Sequence, residues 1–178
     1  MVRHHTILLL TLLSMAVAIS SSGQDAQGID LRLGVSPSGI EFEERRVSLP
    51  CSEHEIVALF DRPFEVSDPP VDEHSNWVYS WADLGILAFS DAKTRQITAI
   101  EAMLDPDHIP PEWRMTAFAG VIKVDDADLS KNSGPSDAES AGFHHDEIWW
   151  EKNVGSMYVI LSFDYRKRTA VSVEIGIE

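Results

Sequence analysis

Residues 76–100 read NWVYSWADLGILAFSDAKTRQITAI, an aromatic-rich run that alternates on both sides of a single glycine. Trp77, Tyr79 and Trp81 share one phase of a two-residue alternation. Leu84, Ile86 and Ala88 share another after the short ADLG segment, with Leu87 and Phe89 on the opposite face. A period of two is the signature of a strand, and apolar residues on both faces mark a strand central in its sheet. Asp91 to Thr94 is a charged turn, after which Ile97 and Ala99 alternate with Thr98 and Ile100. The stretch therefore predicts three antiparallel strands over about 77–81, 84–90 and 95–104.

Upstream, Ser52 and Glu55 have the spacing of a capping box, and Ile56, Val57, Leu59 and Phe60 supply an apolar helix face that ends at DRPF. Before that helix, IDLRL (29–33) and GIEFEERRVSL (39–49) read as strands, with a turn or bulge near Glu44 to Arg46. EVSDPPVDEHSN (65–76) and DPDHIPPEW (105–113) are proline-stiffened polar loops, the second a boundary between halves.

Downstream the order repeats. FAGVIKVDDADLS (118–130) reads as strand, acidic turn, strand. Ser136 and Glu139 precede a short helix, and EIWWEK, SMYVILSFDY and AVSVEIGI read as three more strands, with Arg166 to Arg168 as a turn. Gly85 and Gly155 each precede an apolar strand, a charged turn and another alternating strand. The expected fold is α+β: a tandem duplication of short helix plus antiparallel β-meander, its halves at about 29–104 and 117–177, with the helices packed on one face of the sheet.

Met1 to His5 carry Arg3, Thr6 to Ile19 form an apolar run, and small residues follow. That order is a secretory signal peptide over about residues 1–23, with cleavage after Ala18, Ser20, Ser22 or Gly23. A transmembrane anchor would need about 20 apolar residues. The expected location is secreted or periplasmic, with residues 24–178 forming one domain and no membrane insertion after cleavage.

The chain has 14 Lys+Arg against 29 Asp+Glu, a formal net charge of −15 at pH 7. Such acidity repels phosphate backbones and anionic headgroups, so nucleic-acid and lipid-surface roles are poor fits and a partner with a basic surface, or a cation, fits better. The single cysteine, Cys51, excludes an intramolecular disulfide. It lies close to His54 just before the helix, either as a reactive pair or, the favoured reading, as a small buried apolar residue.

Two pieces carry a family resemblance. WADLGI (81–86) resembles the W-D-x-L-G-I-like motif of a bacterial secreted family of unknown function, departing from it at Ala82 and Asp83. Phe118, Gly120, Ile122, Val124 and Asp125 resemble a second piece of the same family. More distantly, the duplicated helix and meander resemble the beta-lactamase-inhibitor-protein fold and the small outer-membrane assembly lipoproteins. That resemblance implies a binding module with no active site, although the cysteine of a lipid anchor is absent.

The most ligand-like run is GFHHDEIWWE (142–151). His144, His145 and Glu147 are candidate zinc ligands, but adjacent histidines on a strand point apart, and zinc asks for three or four converging donors. Asp72, Glu73, His74, Asp105, Asp107 and His108 lack the spacing and glycine of a calcium loop and read as solvated loops. No nucleophile elbow, phosphate loop or dinucleotide fingerprint is present, and no cofactor is expected. Trp77, Tyr79 and Trp81 are either an inner sheet face against the Ile56–Phe60 helix or a docking face. The leading expectation is a non-catalytic, inhibitor-like or protein-binding module. The alternative is a small metal-binding protein or metal-dependent hydrolase.

Overall fold

A computed structural model describes residues 31–67, 76–146 and 148–177, without the side chain of Glu112. The leader read at residues 1–23, the loop carboxylates Asp72 and Glu73, His74 and the candidate ligand Glu147 lie outside the described residues.

In chain order, β1 (Arg32–Ser36), β2 (Gly39–Phe42) and β3 (Arg45–Val47) lead to α1 (Glu53–Phe60). Then come β4 (Glu65–Val66), β5 (Trp77–Trp81), β6 (Ile86–Ser90) and β7 (Ile97–Met103). Two 3₁₀ turns, Pro106–His108 and Pro111–Trp113, join the halves. After them follow β8 (Val121–Val124), β9 (Ala127–Leu129) and α2 (Pro135–Ser140), then β10 (His144–Asp146), β11 (Trp149–Val154), β12 (Met157–Asp164) and β13 (Thr169–Gly176).

These strands form two sheets, and this overturns the expected α+β layout. Among the described residues, thirteen strands fall into a five-stranded sheet, β3-β2-β1-β8-β9, and an eight-stranded sheet, β10-β11-β12-β13-β7-β6-β5-β4. The molecule is mainly β, and among the described residues its two helices are too short to cover the sheet. The reason is length. Helices of eight and six residues span roughly 12 and 9 Å at about 1.5 Å per residue, against nearly 40 Å for eight strands at about 4.8 Å spacing. The hairpins that open each half do the covering instead. They leave the meanders and pair with each other through a parallel β1–β8 contact, Leu33 opposite Ile122 and Val35 opposite Val124.

Leu33, Val35, Ile40, Phe42, Ile122, Val124 and Leu129 from the small sheet meet Tyr79, Trp81, Ile86, Ile100, Val159, Leu161, Val173 and Ile175 from the large one in a single buried cluster. Helix α1 packs on β2 and β3 and wedges Phe60 between Phe42 and Trp81, with ring centroids 5.2 and 4.7 Å away. Its N-terminus carries the box that the spacing predicts: the Glu55 amide donates to Ser52 Oγ at 3.3 Å, and the Ser52 amide donates to Glu55 Oε2 at 2.7 Å. At α2 the cap lies two residues earlier than predicted, with the Gly134 amide donating to the Asp137 carboxylate at 2.7 Å.

The first half runs three strands, helix, four strands and the second two strands, helix, four strands, but no two-fold axis normal to the sheets relates them. Such an axis needs both central pairs antiparallel, and β7–β13 is antiparallel whereas β1–β8 is parallel. A bulge in β7 shifts the register between Phe89 and Ser90, so that Ile97 and Ile100 both reach the core past Thr98.

Candidate functional site

The inner face of the large sheet is filled by the core, and both helices bury their apolar residues on that side. The outer face is different. Registers across seven strands place Glu151, Ile160, Glu174, Glu101, Leu87, Ser80 and Glu65 in one row from β11 to β4. Four of the seven are carboxylates, and the row contains no basic residue.

At its centre, Glu101 of β7 sits directly opposite Glu174 of β13. Like charges directly opposite on adjacent strands repel. Burial, then the charge of Glu174, push the Glu101 carboxyl above its ordinary range, against a lowering hydrogen bond from Ser172. Tyr158 reaches the pair from β12 and donates its hydroxyl to Glu174 Oε1 at 2.8 Å. Its ring lies across Gly176, where any Cβ would collide with the phenol. Burial, then the hydrogen bond and charge of Glu174, push the Tyr158 phenol upward, so that it stays a donor.

Beside this pair is a cleft of about 350 Å³. Val78 of β5 and Leu87 and Phe89 of β6 form its floor, while Trp113 and Met115 lean in from the connection between the halves. Val66 and Glu65 close the side at the edge strand β4. Thr116 anchors the covering segment: its amide donates to the Ala82 carbonyl at 2.9 Å, and its hydroxyl lies 3.0 Å from the carbonyls of Ala82 and Asp83. The segment continues by donating from the Phe118 amide to the Met103 carbonyl at 2.6 Å.

The residues singled out from sequence scatter around this face. Tyr79 and Trp81 are fully buried, and Tyr79 donates to Glu53 Oε2 at 3.0 Å. Trp77 is half-buried beneath the Arg95 guanidinium, 4.4 Å from its ring centroid. His144 and His145 are exposed neighbours on β10. His145 lies 5.1 Å from the Trp150 ring and 3.2 Å from Tyr165 Oη.

Asp105, His108 and Asp164, the first two read from sequence as solvated loop residues, converge with ligand atoms within 4.8 Å of one another. Lys167 Nζ, 3.1 Å from Asp105 and 2.6 Å from Asp107, already supplies a cation to this cluster. Burial alone would raise the Asp105 carboxyl, but hydrogen bonds from the Asp107 amide, Lys167 and His108 outweigh it and hold it low. Cys51 is buried, and desolvation, then the charge of Glu55, push its thiol up to about 12. That rules out the low-pKa thiolate a reactive Cys51–His54 pair would need.

Sequence reasoning missed Glu101 and Glu174. The available signal was a lone carboxylate at the third place of each of two stretches, AIEAM (99–103) and SVEIG (172–176).

A family model described as a domain of unknown function, DUF7738, matches residues 32–138. The chain belongs to this family. The DUF7738 match spans the small sheet, α1 and β4 to β7, includes Glu101, and stops within α2 before the strand that carries Glu174. No curated protein matches the sequence. Among solved structures, an extracellular protein containing an SCP domain from Bacillus anthracis str. Ames aligns at 13% identity with a TM-score of 0.45, over 71% of this chain and 43% of that one. The chain thus spans less than half the length of that protein. Among the described residues, no helix is long and apolar enough to cross a membrane.

Proposed function

We propose that the chain is an exported, non-catalytic binding module that engages a partner with a basic surface through the outer face of its eight-stranded sheet. The observation that carries this reading is the Glu101–Glu174 pair, two carboxylates in direct register at the middle of a sheet face on which neither helix packs. Holding them together costs stability in the free protein. An incoming ammonium or guanidinium relieves that repulsion, which makes the pair a preformed anchor for a cation. The flanking Glu151 and Glu65 extend the field along the same row, and the formal charge of −15 favours encounter with a basic partner. Residues 29–104 and 117–177 are taken as two variants of one unit, whose equivalent last strands meet at this anchor.

The test uses the mature protein as bait in parallel captures from its native extracellular or envelope fraction. Wild type and a small-sheet control, Glu41→Gln/Glu44→Gln, should retain the same basic protein. The outer-face variant Glu101→Gln/Glu174→Gln should lose it while still unfolding in one cooperative transition, at a temperature no lower than that of wild type. Recovery of the same proteins by all three baits, or of none by wild type, overturns the reading.

A further inference from the structure

We infer that the cleft beneath Trp113 is a recognition subsite for a cationic side chain with an apolar neighbour on an extended basic segment of the partner. This rests on the outer face being the binding surface and adds what the partner must carry there. Val66 and Trp113, 41% and 47% exposed, are two of the four large apolar side chains left exposed among the described residues, and both line this one cleft. A cleft of about 350 Å³ is at the small end of ligand sites and suits one or two side chains.

Its charge selects among apolar occupants. Among the described residues Glu65 is the only ionisable side chain in the lining, and Leu87 of the floor is the direct cross-strand neighbour of Glu101. An anionic ligand would enter against both carboxylates. A neutral apolar ligand would leave them without a counter-charge. A cation with an apolar body satisfies floor and rim together, and Trp113 adds an aromatic face on which a guanidinium or ammonium can rest. The covering segment is held by Thr116 to the β5–β6 turn, so the cleft is preformed and binding needs little ordering.

Three probes separate these contributions: phenylpropylammonium, its anionic counterpart phenylpropanoate, and propylammonium, which keeps the charge and loses the body. Each is titrated into the full folded chain, with amide shifts of Leu87 and the indole N–H shift of Trp113 as readouts. Phenylpropylammonium should move both signals saturably in the millimolar range, with each other probe weaker by about tenfold or more. Trp113→Ala should abolish the response, as should Val66→Ser, a second exposed position that keeps the fold. Glu65→Gln/Glu101→Gln should bring the cation down to the level of the anion. Equal binding of cation and anion, binding that survives Trp113→Ala, or no response from the wild type overturns the inference. The two readings fail separately. Face-dependent capture without probe binding removes the subsite and keeps the binding face, whereas probe binding without capture leaves a small-cation site and removes the protein partner.

Discussion

Glu101 is where a titration should be visible. Its carboxyl lies above its ordinary value in the folded chain because of burial and Glu174. Folding therefore favours its protonated form: the contribution is intact below the unfolded carboxyl pKa and is lost as pH rises through the folded one. Glu101→Gln, which removes the charge and keeps the shape, should raise stability at pH 7 by about 1 kcal/mol, some 2–4 °C in a domain of roughly this size. The gain should vanish as pH falls below the ordinary carboxyl value, about 4.3, where Glu101 is neutral in both the folded and the unfolded chain. Thermal unfolding of the two proteins at pH 7 and pH 3.5 checks both halves of the statement. Cys51 gives the opposite kind of residue, inert because it is dry. Iodoacetamide should label it only in denaturant, and its contribution to stability should decline as pH climbs from about 9 towards 12, because only the unfolded thiol ionises there.

Among the elements, the caps and turns were the most legible part of the chain, because their chemistry is local. Ser52 and Glu55 announce α1 by spacing alone, and Ser52→Ala should cost about 1 kcal/mol in a denaturant titration. Gly85 reads from sequence as a turn residue, and the structure adds a second constraint. Its φ is +72°, and a Cβ there would run into the backbone at Thr116 to Phe118, the anchor of the segment that covers the cleft. Gly85→Ala should cost roughly 1–3 kcal/mol and weaken probe binding, read from the same melting curves and titrations. The strands themselves were legible from alternation, but their partners were not. Leu33 and Ile122 look like ordinary inward residues of two unrelated hairpins, and nothing local says that they lie side by side. Alternation gives the face a residue presents and leaves open the sheet it joins, which is why it predicts one sheet covered by helices where the chain forms two sheets. The same gap hid the Glu101–Glu174 pair, which exists only because β7 meets β13.

At the scale of the molecule, the halves depend on each other at two seams, β1–β8 and β7–β13. A fragment ending at residue 138, the limit of the DUF7738 match, keeps the first seam and loses β10 to β13. It would expose β7 as a long apolar edge and uncover Ile100 and Ala102. Such a fragment should be unfolded or self-associated by circular dichroism and size-exclusion chromatography, whereas the full chain gives one cooperative transition. Capture of a basic partner by the full chain should weaken with ionic strength, since the rim carboxylates are screened over roughly 8–10 Å near physiological salt. The neutralised outer-face variant should lose most of that salt dependence.

The parallel β1–β8 pair also sets a clock. Arg32 waits for Val121 before its strand has a neighbour on that side, and β7 waits for β13. Contacts so far apart in the chain make folding slow to begin. A polypeptide emerging N-terminus first has neither seam available until most of its length is free. The topology that closes the core thus also leaves the chain open until its last strand is free, and the fold completes itself only at the end.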